Sequence, residues 1–158
     1  MRKGVADLRR RAAVSQAAND RYLQALASVE DTTSLGEIAA QLCRPVRYQG
    51  RRVRALNPHA SDDAALLEAI SRGEFTLNGL RNRDIRALLF PKPPRSQAEQ
   101  NRQAAVVSRK LHLLRAHRLI RKVPHTHRYH LTKAGRIAVT AFITARNAST
   151  QELTKMAA

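Results

Sequence analysis

From Ser61 onward the hydrophobic spacing switches period several times, and a proline, glycine or capping residue punctuates each switch. That pattern confines the chain to a mainly helical fold with short strands between helices. Ser61 is placed to cap a helix whose first turn holds Asp62 and Asp63, favourable at the positive end of the helix dipole. Leu66, Leu67 and Ile70 point inward, and Gly73 ends that helix. Phe75-Thr76-Leu77 reads as a short strand and Asn78-Gly79 as a turn. Asn82 is placed to cap a second helix that buries Ile85, Leu88, Leu89 and Phe90, and Pro91, Pro93 and Pro94 stop it. Ser96 and Glu99 form a capping box, which opens a long helix reaching to about His117. Two strands, 119–123 and 127–131, enclose a basic turn around Pro124-His125-Thr126. Thr132 caps a last helix that runs to about Asn147, and 148–158 reads as a loosely ordered tail.

Upstream, Val14, Ala17, Ala18, Tyr22, Ala25, Leu26 and Val29 recur at three- and four-residue steps, which predicts a helix over 13–30. Ser34 and Glu37 make a capping box for a short helix with Leu35, Ile38, Ala39 and Leu42 on its apolar face. It ends near Cys43, because Pro45 disfavours helix in the residue before it. Residues 45–56 read as a β-hairpin: Val46 and Tyr48 alternate with arginine, Gln49-Gly50 turns, and Val53 and Ala55 resume the alternation. Arg47, Arg52 and Arg54 fall on its other face. The chain therefore divides into 1–57 (helical extension plus basic hairpin), 58–147 and the tail 148–158, with Asn57-Pro58-His59-Ala60 as linker.

Charge is distributed unevenly over these parts. Residues 75–158 hold Lys+Arg 17 against Asp+Glu 3, and the first 74 hold 12 against 9, together the chain's net +17. A surface of such density repels itself unless a polyanion lies against it, and nucleic acid is the commonest such partner. With aromatics at 4% and no Trp, base stacking on exposed rings is a poor route to single strands. Cys43, the lone cysteine, excludes an internal disulfide and any multi-cysteine zinc site. No apolar run approaches the ~18 residues of a membrane span, and the basic N-terminus has no apolar stretch behind it. A reducing, cytoplasmic setting is expected.

The order from Ser61 (helix, strand, helix, helix, strand, strand, helix) is that of a winged helix-turn-helix. The run Val107 to Ile120, with Leu119-Ile120 after the long helix, and then Leu131-Thr132-Lys133-Ala134-Gly135-Arg136, resembles the MarR-type winged-helix regulators. The likeness covers about 61–147. In that family the long helix reads DNA and the wing lies against the backbone or minor groove, so the resemblance implies these roles here, and a dimer through terminal helices. Two departures stand out. Arg118 occupies the place where the family has Gly before Leu-Ile, so a left-handed cap there would be strained and a different turn is expected. The wing also lacks the family's acidic residue. The whole chain further resembles the C-terminal portion of longer bacterial proteins, which would make it a truncated or internally initiated form.

On the long helix, Ala104, Val107, Leu111 and Leu114 share the core face. The opposite face carries Arg102, Ala105, Arg109, His112 and Ala116, with Val106 and Lys110 toward its edges. Arginines separated by alanine suit a helix entering the major groove, where arginine pairs with guanine edges or holds phosphates. The candidate nucleic-acid contacts are thus Arg102, Gln103, Ser108, Arg109, Lys110 and His112 on this helix. Arg121, Lys122, His125, His127 and Arg128 on the wing join them, with Arg81, Arg83 and Arg86 at the start of the preceding helix, and Arg47, Arg52 and Arg54 on the hairpin. The hairpin's arginines either extend the footprint or protect its strand edges from aggregation. Leu113 falls on the exposed side and requires cover from residues 13–42 or a second subunit. Ile137, Ala138, Ala141, Phe142 and Ala145 form a stripe that serves either as core or as a dimer seam.

His125-x-His127-x-x-His130 puts two histidines on one strand face and the third on the other, with no acid or cysteine nearby to complete a metal set. There is no phosphate-cradling glycine loop, nucleophile motif or carboxylate pair, so neither cofactor nor catalysis is expected. The expectation is a non-catalytic binder of duplex DNA, a regulator or the recognition module of a larger machine. A structured-RNA-binding subunit of a ribonucleoprotein is the alternative.

Overall fold

The computed structural model describes residues 33–148, together with 11–16, 19, 20 and 23. Residues 11–16, 19, 20 and 23 are helical; the other residues of the helix expected over 13–30, and the tail beyond 148, lie outside the described residues. The elements are α1 (Leu35–Leu42), a hairpin of β1 (Val46–Tyr48) and β2 (Arg51–Val53), then α2 (Ser61–Ile70), α3 (Glu74–Asn78), α4 (Asn82–Leu89) and α5 (Gln97–Ala116). A second hairpin of β3 (Ile120–Lys122) and β4 (Tyr129–Leu131) precedes α6 (Lys133–Asn147). The fold is mainly helical with two small antiparallel sheets. Among the described residues no helix is long and apolar enough to cross a membrane.

Local chemistry sets most element ends. Ser34 and Glu37 make the full reciprocal capping box of α1. Ser96 Oγ accepts from Glu99 N, while Glu99 reaches back one residue further, accepting from Arg95 N at 2.8 Å. Thr132 Oγ1 accepts from Gly135 N at 2.9 Å. Gln49 and Gly50, the two turn residues between β1 and β2, both have positive φ, as a type I′ hairpin turn requires. The register is Val46 opposite Val53 and Tyr48 opposite Arg51.

Three expectations are corrected. Phe75-Thr76-Leu77 is not a strand but the middle of α3, a single helical turn that buries Phe75. The strand-like contribution comes instead from Leu80, whose N–H and C=O exchange 2.9 Å hydrogen bonds with Tyr129. Ser61 does not cap α2, because Ala60 is the cap and makes no side-chain bond. Nor does Asn82 cap α4: its Nδ2 donates to Ala104 O and Ser108 Oγ, both at 2.9 Å, which ties α4 to α5.

One apolar cluster runs through the described residues, from Ile38, Leu42 and Leu56 to Leu66, Ile85, Val107, Leu114 and Phe142. Of the α6 stripe, Ala138 and Phe142 are buried in this cluster, and Ile137 and Ala141 pack against it. α6 rests on α1 and α2, and α5 on α4, β3 and β1. Leu113 is inside the cluster at 5% exposure, so the outward position predicted for it is covered within the chain.

The turn from α5 into β3 keeps the left-handed geometry despite its arginine. Arg118 has φ 59°, Leu119 N donates to Leu114 O and Arg118 N to Arg115 O. This is a Schellman motif, and its expected apolar pair, Leu114 with Leu119, is fully buried. The changed turn expected from the departure at Arg118 is not found. A side chain in this region costs about 1 kcal/mol relative to glycine. Arg118→Gly is therefore expected to raise stability by about 0.5–1 kcal/mol, part of the gain being offset by the freer unfolded chain. Urea unfolding midpoints measure it.

Candidate nucleic-acid interface

α5 presents the arginine row expected of it through its middle turns. Arg102, Ala105 and Arg109 are exposed, and neither arginine has an ion pair among the described residues. Val107, Leu111 and Leu114 are buried beneath them, which fixes the helix's rotation, and Ala104 is half-buried. Ser108 is exposed and accepts from Asn82.

Other predicted contacts on this helix are corrected. Gln103 is 8% exposed and lies on the inner side. Lys110 is equally buried, and its ammonium donates to Asp62 Oδ2 at 2.8 Å and to Asp62 O at 3.2 Å. A lysine held inside by a carboxylate 48 residues away is a tie between α5 and α2, not a groove contact. Ala116, placed on the outward face by spacing, is buried. His112 is exposed, but Tyr48 of β1 meets its ring edge-on with centroids 5.3 Å apart, and the Arg115 guanidinium lies 5.7 Å over the same tyrosine. The hairpin β1–β2 thus flanks the C-terminal half of α5, and the outward row is open from Arg102 to Arg109.

The β3–β4 hairpin follows directly. Arg121 and Lys122 are exposed, with Arg121 opposite His130 and Lys122 opposite Tyr129. The strands are shorter than predicted, so His125 and His127 belong to the connecting loop, and the alternating-strand placement given to them does not hold. His125 has φ 55°, and both histidines are exposed. Thr126 Oγ1 closes the loop by donating to Val123 O and accepting from Arg128 N. Arg128 is half-buried and donates to Asn78 O at 2.6 Å, holding the hairpin to the end of α3. Among the described residues no three His, Cys, Asp or Glu side chains gather as metal ligands would.

At the start of α4, Asp84 accepts from Arg81 N at 2.8 Å and lies 3.4 Å from Arg83 Nε. Arg83 is exposed, and Arg81 and Arg86 are half-buried. Asp84 and Glu99 are the acids described beyond residue 75, and each serves a backbone amide at a helix start. Arg102 and Arg109 on α5, and Arg121 and Lys122 on the second hairpin, therefore stand without a neutralising carboxylate among the described residues. Arg136, which sequence reasoning did not single out, has buried Nε and Nη2 with no hydrogen-bond partner. Burial, with Arg121 nearby, lowers its pKa.

Arg54 of the first hairpin is also corrected. Its guanidinium grips Asp63 in a two-pronged pair of 2.6 and 2.7 Å. Asp63 also accepts from Asn57 N at 2.9 Å, and His117 Nε2 lies 2.9 Å from Arg54 O. Arg54, itself exposed, thus anchors the hairpin, whereas the exposed Arg47 and Arg52 have no ion pair among the described residues. Burial would push the Asp63 carboxyl up, but the hydrogen bonds from Arg54 and Asn57 outweigh it and hold the carboxyl below its ordinary value. A carboxylate so depressed contributes stability that is present above its unfolded pKa and is lost as pH falls through the folded one. Acidification through the folded pKa of Asp63, which lies below the ordinary carboxylate range, should therefore release the hairpin. Amide resonances of residues 46–54 should shift on protonation of Asp63, and Asp63→Asn should abolish that acid-dependent step.

No protein-family model, curated protein or solved structure matches this chain.

Proposed function

We propose that the chain binds duplex DNA as a winged helix-turn-helix protein, with α5 in the major groove and the β3–β4 hairpin as the wing along the backbone. The helix order α2, α4, α5, the tie of α4 to α5 through Asn82, and Leu80 pairing with Tyr129 beside the hairpin all support that architecture. The observation that carries the reading is the open row Arg102, Ala105, Arg109 on α5. Its alanine lets the helix approach base edges, and among the described residues no carboxylate neutralises its arginines. Arg121 and Lys122 supply phosphate contacts that set orientation and carry no sequence information.

The protein acts in this reading without chemistry of its own, as a regulator or as the recognition part of a larger assembly. Tyr48 is engaged by His112 and Arg115, which favours a duplex over stacked single strands. The test is recovery and sequencing of the nucleic acid that copurifies from cells, with DNase and RNase controls. DNA from one or a few loci is the expected outcome. One abundant structured RNA would replace this reading with a ribonucleoprotein subunit.

A further inference from the structure

We propose that the β1–β2 hairpin is a second arm of the same DNA interface, one that holds phosphates beside the C-terminal half of α5 through Arg47, Arg51 and Arg52. This rests on the duplex-DNA reading of α5 and the β3–β4 wing. The hairpin's attachment and its displayed charge together lead to it.

A two-stranded hairpin is marginal in water without outside support. Here Arg54 grips Asp63, Asn57 N bonds the same carboxylate, and Leu56 is fully buried. Leu56 N donates to Leu42 O, and His117 Nε2 lies against Arg54 O. Tyr48 contacts both His112 and Arg115 on the flank of α5. The hairpin is thus held to the helix that would enter the groove.

Arg47 and Arg52 are cross-strand partners on one face, and Arg51 sits at the turn opposite Tyr48. All three are exposed, and none has an ion pair or hydrogen bond among the described residues. Two arginines directly opposite one another repel and disfavour the pairing they sit in. A polyanion laid across them removes that repulsion. An arm fixed to the reading helix and bearing unpaired guanidinium groups fits a sugar-phosphate backbone, and it adds affinity without sequence preference.

The test compares three proteins on one duplex by titration at several salt concentrations. These are the full chain, Arg47→Ala/Arg51→Ala/Arg52→Ala, and Arg102→Ala/Arg109→Ala, with Arg72→Ala as a surface-charge control and circular dichroism to confirm folding. Every phosphate that is no longer neutralised takes about 0.9 off the log-log salt slope. The hairpin variant should lose roughly 2 to 3 from the slope and bind about a hundredfold more weakly near 0.1 M salt, equally on unrelated sequences. Tyr48→Ala, which keeps the charge but loosens its seat, should lose part of the affinity. If the hairpin variant matches the full chain while the α5 variant is weakened, the arginines serve only to keep strand edges apart; the second arm is refuted and the duplex reading survives. If the full chain does not bind duplex DNA, both fall.

Discussion

Gly135→Ala is expected to cost about 3 kcal/mol or more, a large share of the stability of an ordinary domain. A Cβ at this position would lie 2.0 Å from Leu119 O, 2.8 Å from Leu119 C and 3.0 Å from Leu119 Cα. All three are backbone atoms, so no side chain can rotate away. Leu119 O cannot retreat easily, because it accepts from Thr132 N at 3.0 Å and from Thr132 Oγ1 at 3.2 Å. The first turn of α6 is therefore pressed onto the left-handed turn that ends α5, and only glycine fits between them. Gly73→Ala is the matched comparison: open space surrounds a Cβ there, and φ is an ordinary −56°. Urea unfolding should show Gly135→Ala far below the parent and Gly73→Ala within about 0.5 kcal/mol of it. Equal stabilities would mean the α5–β3–α6 junction is looser than its backbone contacts require.

The largest functional effect is expected on the open row of α5. Arg102→Ala/Arg109→Ala should weaken binding to a preferred duplex by about a hundredfold at low salt, and more on that sequence than on unrelated ones. A well-placed arginine discriminates bases by about 1–3 kcal/mol, and a phosphate contact does not discriminate at all. Lys122→Ala, on the wing, should weaken every sequence alike by about tenfold. Competition binding with preferred and scrambled duplexes separates the two. A uniform loss from both variants would move α5 from base reading to backbone contact.

Much of this architecture is legible in the residues because periodic burial dictates it. Val107, Leu111 and Leu114 repeat over enough turns to fix where α5 faces. The alternation around Gln49-Gly50 and the Thr132 cap lock the first hairpin and α6 in the same local way. What local pattern does not carry is partnership across the chain. Lys110 lies at the edge of the outward face by helical projection, and only the approach of Asp62 turns it inward. Leu113 and Ala116 read as exposed because a projection of α5 omits whatever packs on it. Arg54 looks like its neighbours Arg51 and Arg52 until Asp63 comes within 2.6 Å. Phe75 and its neighbours have strand-like composition, yet the segment is a single helical turn, too short to show a period. At Arg118 the cost of a left-handed turn is legible and the outcome is not, since burial of Leu114 and Leu119 holds that turn regardless of the side chain.

In the proposed complex, unneutralised arginine and lysine side chains on α5 and the adjoining hairpins lie along a DNA backbone. Equilibrium binding of the full chain to a duplex between about 50 and 300 mM salt tests this most directly. Engagement of about five phosphates predicts that log affinity falls with log salt at a slope near −4.5 or steeper. An affinity that stays flat across that range would contradict it.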